Sequence, residues 1–206
     1  FAETATERFF QNMKHTAVSV EILSTVFHFI VPDEPDDGVF IGGDEEETPS
    51  VLLTADHGAD ESEDSPKITR DTIRYVTDGL WGMENGEWVL RYRESEELGM
   101  ENCVTEIHLP TDSREEVTMV RTGAPATVMI FSMKEPRQHT LYHTGVAEMP
   151  LDLCVRSRAV DVRADPAGGE VSLDYVIEMR GICTQRTVLQ MRITPLPEDR
   201  ILREAE

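Results

Sequence analysis

Cysteine is scarce in this sequence: Cys103, Cys154 and Cys183 are the three present, far apart and odd in number. No CxxC pair and no Cys/His ligand spacing occurs among them, so neither a disulfide framework nor a zinc site fits. Cys103 and Cys183 fall in apolar strand patterns, where a free thiol behaves as a small hydrophobe, and a reducing cytoplasm is the expected setting. Basic residues are also few. The chain carries 19 Lys and Arg against 40 Asp and Glu, a formal net charge of -21. Such a surface repels phosphate backbones and anionic lipid, so neither nucleic acid nor a membrane surface is an expected partner. No apolar run is long enough to span a bilayer, and no basic stretch leads into an apolar signal-type core. The sequence also lacks GxSxG, P-loop and HExxH motifs. The expectation is therefore a protein that is not an enzyme, with no cofactor, no metal ligands and no catalytic residues.

What the chain has instead is alternation, and it is plainest around one turn. Asn85-Gly86 suits a type I′ turn, which takes positive φ at both central positions and so fixes the register of the hairpin over 72–95. That register sets Glu84 opposite Glu87, Met83 opposite Trp88, Trp81 opposite Leu90 and Gly79 opposite Tyr92. Because side chains alternate, Tyr75, Thr77, Trp81, Met83, Trp88, Leu90 and Tyr92 share one face. Asp78 opposite Arg93 is the expected salt bridge on the other.

Before the hairpin, residues 1–12 have apolar spacing that predicts a short helix, and Met13 is a plausible native start, which would make 1–12 an N-terminal extension. A first strand is predicted over 17–29, with Val18, Val20, Ile22 and Val26 on one side. Residues 31–67 read as an acidic, flexible insertion: from Asp33 to Asp64 acidic residues accumulate with no Lys or Arg between them. Within it, Asp33, Asp37, Gly38 and Asp44 match part of an EF-hand spacing. Pro35 occupies a ligand position and Asp44 stands where a bidentate Glu is needed, so a solvated acidic loop is the better reading.

After Lys67 the pattern is β almost throughout. Strands are predicted over 72–82, 87–95, 103–109, 116–122, 126–133, 139–149, 153–163, 170–180 and 186–194, separated by turn signals such as Gly123-Ala124-Pro125 and Asp165-Pro166-Ala167-Gly168-Gly169. Roughly eight to ten antiparallel strands joined by short turns mean a barrel or sandwich, and the meander favours a barrel. His139 and His143 share a strand face, but two histidines are an incomplete zinc site.

The run Thr72-Ile73-Arg74-Tyr75-Val76-Thr77-Asp78-Gly79, followed by Trp88-Val89-Leu90-Arg91-Tyr92-Arg93-Glu94-Ser95 and Gly99-Met100, resembles the bacterial YwiB-like family of unknown function. Arg121-Thr122-Gly123, Tyr142-His143-Thr144-Gly145 and Gly169-Glu170-Val171-Ser172-Leu173-Asp174-Tyr175 continue the match in order. The resemblance covers about 17–29 and 68–195 and implies a calycin-like (lipocalin-like) barrel of cytoplasmic, bacterial origin, with no established activity. The acidic insertion departs from the family pattern.

The expected structure is thus an all-β, single antiparallel up-and-down barrel, lipocalin-like, with core at about 15–30 and 68–195. Small barrels either fill their interior or hold one small ligand. The leading functional expectation is a small apolar or amphipathic ligand inside the barrel, held by Trp81, Trp88, Tyr92, Glu94, Arg121, Tyr142, His143 and Tyr175. The alternative is an interaction module with a packed, ligand-free barrel, whose acidic loop or outer face meets a protein partner. Glu94 and Arg121 as an acid/base pair would need a proximity that the sequence does not show.

Overall fold

The computed structural model describes residues 15–30, 67–96, 100, 102–146 and 149–197. Ten antiparallel strands follow in chain order: β1 (Thr16–Ile30), β2 (Lys67–Glu84), β3 (Glu87–Arg93), β4 (Val104–Pro110), β5 (Glu116–Thr122), β6 (Ala126–Ser132), β7 (Arg137–His143), β8 (Leu151–Asp165), β9 (Gly168–Met179) and β10 (Ile182–Pro195). Each pairs with its sequence neighbour, and β10 pairs back onto β1, so the sheet closes into an up-and-down barrel. The described residues contain no α-helix. The helix expected over 1–12 lies outside them, as does the acidic stretch apart from Lys67, which opens β2.

Alternation is what makes these segments strands of a closed sheet. In β4, Thr105, Ile107 and Leu109 are buried and the residues between them half-exposed. Val18, Val20 and Ile22 of β1, Val171, Leu173 and Tyr175 of β9, and Leu189, Met191 and Ile193 of β10 repeat the pattern and join one core. Each large apolar side chain so buried stabilises the fold by about 1.5–3 kcal/mol.

The hairpin forms in the expected register, from Glu84↔Glu87 to Gly79↔Tyr92. Asn85 and Gly86 have φ of 50° and 88°, the two positive values that a type I′ turn requires. Its outer charges differ from expectation. The ladder stops at Gly79↔Tyr92, short of Asp78 and Arg93. Arg91 makes the outward ion pairs instead, with Glu106 at 2.7 Å and Glu84 at 3.6 Å.

Strand lengths divide the wall in two. β3 to β7 have 7 residues each, whereas β1 has 15 and β2 has 18. β2 pairs with β3 only from Gly79 onward, so the β1–β2 ribbon overruns the short wall at the end where β3 finishes. That end also carries the β5–β6, β7–β8 and β9–β10 connections. The opposite end carries the Asn85-Gly86 turn.

Candidate functional site

One cross-strand row runs round the inside of the short wall. Gly79, Tyr92, Thr105, Arg121, Thr127 and Tyr142 stand opposite one another in register from β2 to β7. Residues directly opposite point to the same face, so a belt of polar side chains faces into the barrel. Glu94 sits one inward step beyond Tyr92. Its N–H donates to the Cys103 carbonyl at 3.0 Å, which carries the β3–β4 ladder past the end of β3.

The Glu94 side chain is 1% exposed and accepts three hydrogen bonds. The Tyr75 hydroxyl donates at 3.0 Å, the Thr105 hydroxyl at 2.5 Å and the Arg121 Nη2 at 2.9 Å. Arg121 Nε also donates to Thr105 Oγ1 at 3.3 Å, so the threonine relays between the two ions. Burial, reinforced by the Glu94 charge, pushes the Tyr75 phenol well above its ordinary range. Tyr92 is pushed up by the same two causes in the same order. Burial also raises Tyr175, against a hydrogen bond with Thr187 that works the other way. For Arg121 burial is the largest single influence and opposes the charge, but Glu94, Tyr92 and Tyr175 together hold the guanidinium above its usual value. The cluster is one carboxylate, one guanidinium and three neutral phenols.

Val18, Val20, Leu90, Ile107, Leu109, Val117 and Phe131 have no exposure, so side chains fill the middle of the barrel. Met119, Met129, Tyr175 and Leu189 show 4–8%. Tyr75, Tyr142 and Ile177 are only partly buried at the cluster's end, as Trp88 and Ala164 are at the other. The Glu94–Arg121 pair thus lies near the end where β3 finishes, with the partly buried Tyr75 bonded to it.

Of the residues expected inside, Tyr92, Glu94, Arg121, Tyr142 and Tyr175 are brought together here. Trp81 and Trp88 are not. They stack at 5.1 Å and 9° at the other end, and Trp81 Nε1 donates to the Asp165 carbonyl at 3.0 Å. The tryptophans therefore pack at the end that carries the Asn85-Gly86 turn. His143 is exposed and shares the outward parity of His139 and Leu141, which places it outside the barrel rather than in it. Thr105 and Thr127 of the belt, and Tyr75, which the hairpin pattern puts on the same face, join the residues brought together here without being among the expected site residues. The usable signal was a hydroxyl residue at an inward position of a run that is otherwise apolar.

Elsewhere, a groove of about 460 Å³ crosses the outer wall between the Arg74–Glu21 and Arg192–Glu170 ion pairs, apart from the Glu94–Arg121 pair. Cys103 and Cys154 are buried and Cys183 partly so, all three as free thiols. Among the described residues no three His, Cys, Asp or Glu converge as metal ligands, and no helix is long and apolar enough to cross a membrane.

The solved structure of the YwiB protein from Bacillus subtilis resembles this barrel with a TM-score of 0.59 at 16% identity, covering 91% of this chain and 99% of that one. At that identity the likeness is one of fold. Comparison with curated proteins gives no match. The family model described as a domain of unknown function (DUF1934) matches residues 60–191, more than half of the sequence. The chain belongs to that family, the YwiB-like family whose motifs it carries.

Proposed function

We propose that this barrel is a binding protein without chemistry of its own, and that its mouth, at the end where β3 finishes, takes the end of a small amphipathic molecule. The apolar part rests on Met119, Met129, Tyr142 and Ile177, and the polar head lies beside Tyr75, Glu94 and Arg121. The observation that carries this reading is a buried Glu94–Arg121 ion pair bonded to the partly buried Tyr75 near one end of an otherwise apolar barrel. Packing alone gives no reason for that pair, since apolar residues of similar volume usually hold a core at least as well. Ligand sites, by contrast, combine apolar walls with a few convergent polar groups. Methionine suits such a wall because its unbranched thioether adapts to shape.

A lipocalin-like reading rests on the up-and-down closure, although ten strands make a wider ring than the lipocalin eight. The filled middle of the barrel supports seizure of a molecule by its end rather than its full enclosure. Binding is favoured over catalysis because the Glu94 carboxylate is already engaged by three donors, which leaves it poorly placed to accept a substrate proton. The free thiols suit a cytoplasmic setting.

The neutral apolar dye N-phenyl-1-naphthylamine tests this. Its emission should rise and shift to the blue with the native chain, fall back in Ile177→Trp, which fills the mouth, and persist in Trp81→Phe. Unchanged emission with the native chain contradicts the proposal.

A further inference from the structure

We infer that the head group accepted at the mouth is uncharged, a hydroxyl or an amide, and that anionic and cationic amphiphiles of equal chain length are rejected. This rests on the mouth being the binding site. The charges there already balance, with Arg121 and Glu94 paired at 2.9 Å and Thr105 bonded to both. A carboxylate head would gain Arg121 only by facing Glu94, and an ammonium would gain Glu94 only by facing Arg121. Either choice leaves a like charge against the ligand in a place largely stripped of water, which is costly. The three phenols around the pair stay protonated and so add hydrogen-bonding capacity but no charge. A neutral head needs no counter-ion and can bond to the half-buried Tyr75 hydroxyl. The chain's net charge of -21 adds a long-range penalty for anions. The filled interior limits the tail: Val20 and Leu90 have no exposure, so a short alkyl chain fits better than a long one.

Calorimetric titration of the full chain with 1-octanol, octanoate and octylammonium at neutral pH tests the inference. The alcohol is expected to bind at least about tenfold more tightly than either ion, the ratio that a little over 1 kcal/mol of unmatched charge produces. In Glu94→Gln the freed Arg121 should reverse the order in favour of octanoate. In Arg121→Gln the freed Glu94 should favour octylammonium. Circular dichroism checks that each variant is folded, and if either is not, the order measured on the native chain decides alone. An ion that binds the native chain as tightly as the alcohol overturns the inference while leaving the mouth a binding site. If all three fail while the neutral dye binds, the inference falls and the mouth stands; if the dye fails as well, both fall.

Discussion

Glu94 and Arg121 meet at 2.9 Å inside the barrel wall although 27 residues separate them. The meeting follows from register. Tyr92 pairs with Thr105, Thr105 pairs with Arg121, and Glu94 continues β3 by one ladder bond, so carboxylate and guanidinium arrive on either side of one threonine. Sheet geometry thus holds two opposite charges in an interior that is otherwise mostly apolar.

Removing one member should hurt more than removing both. Glu94→Gln or Arg121→Gln should each cost about 2–4 kcal/mol in urea unfolding, somewhat below the usual figure for a broken buried pair because the guanidinium retains 16% exposure. The double variant should lose clearly less than the sum. Additive losses would show that the two charges do not interact.

Alkaline pH should unfold the barrel cooperatively. Tyr75, Tyr92 and Tyr175 are raised above the ordinary phenol value of 10.0, so their stabilising contribution is fully present below about pH 10 and is lost as pH rises through their folded values. Phenolate absorbance should therefore appear together with loss of the β circular-dichroism signal, and Tyr75→Phe should weaken that pH dependence. Full titration of all four tyrosines near pH 10 in a folded protein would contradict this.

Two glycines with positive φ should respond differently to alanine. Gly86 has φ of 88° with nothing within 4 Å of an added Cβ, so Gly86→Ala should cost about 1 kcal/mol, the backbone term alone. Gly123 has φ of 109°, and a Cβ there would come within 2.5 Å of the Asn102 carbonyl oxygen. Gly123→Ala should cost about 3 kcal/mol or more and disturb the neighbouring Cys103 that anchors Glu94. Equal losses at the two sites in thermal or urea unfolding would rule out the contact as the cause.

Trp81→Ala should destabilise the fold by about 3–5 kcal/mol through the cavity and the lost bond to Asp165, without reducing dye binding when both are measured well below the melting temperature. Loss of dye binding from a folded Trp81→Ala protein would move the site to the end that carries the Asn85-Gly86 turn.

These contrasts show which features could be read from the sequence. Asn85-Gly86 dictated the pairing of β2 and β3, and alternation located most of the remaining strands. Alternation predicts a strand over 139–149, whereas β7 spans Arg137–His143, because Gly145 takes φ of 80° beyond its end, a conformation that strand alternation does not register. For the site, parity gave the face of each side chain but not its height along the barrel. Trp81 and Glu94 were therefore grouped although they stand at opposite ends. The Glu94–Arg121 contact depends on the register of three strands, and the links between them, unlike Asn85-Gly86, are not two-residue turns that fix pairing. The outward position of His143 was legible from its shared parity with His139.

The most direct measurement is the set of methyl and indole NMR signals during titration of the native chain with 1-octanol. The Met119, Met129 and Ile177 methyl signals should shift in a saturable way while the Trp81 and Trp88 indole signals stay in place. Shifts confined to the tryptophans, or none at the mouth, would contradict binding there.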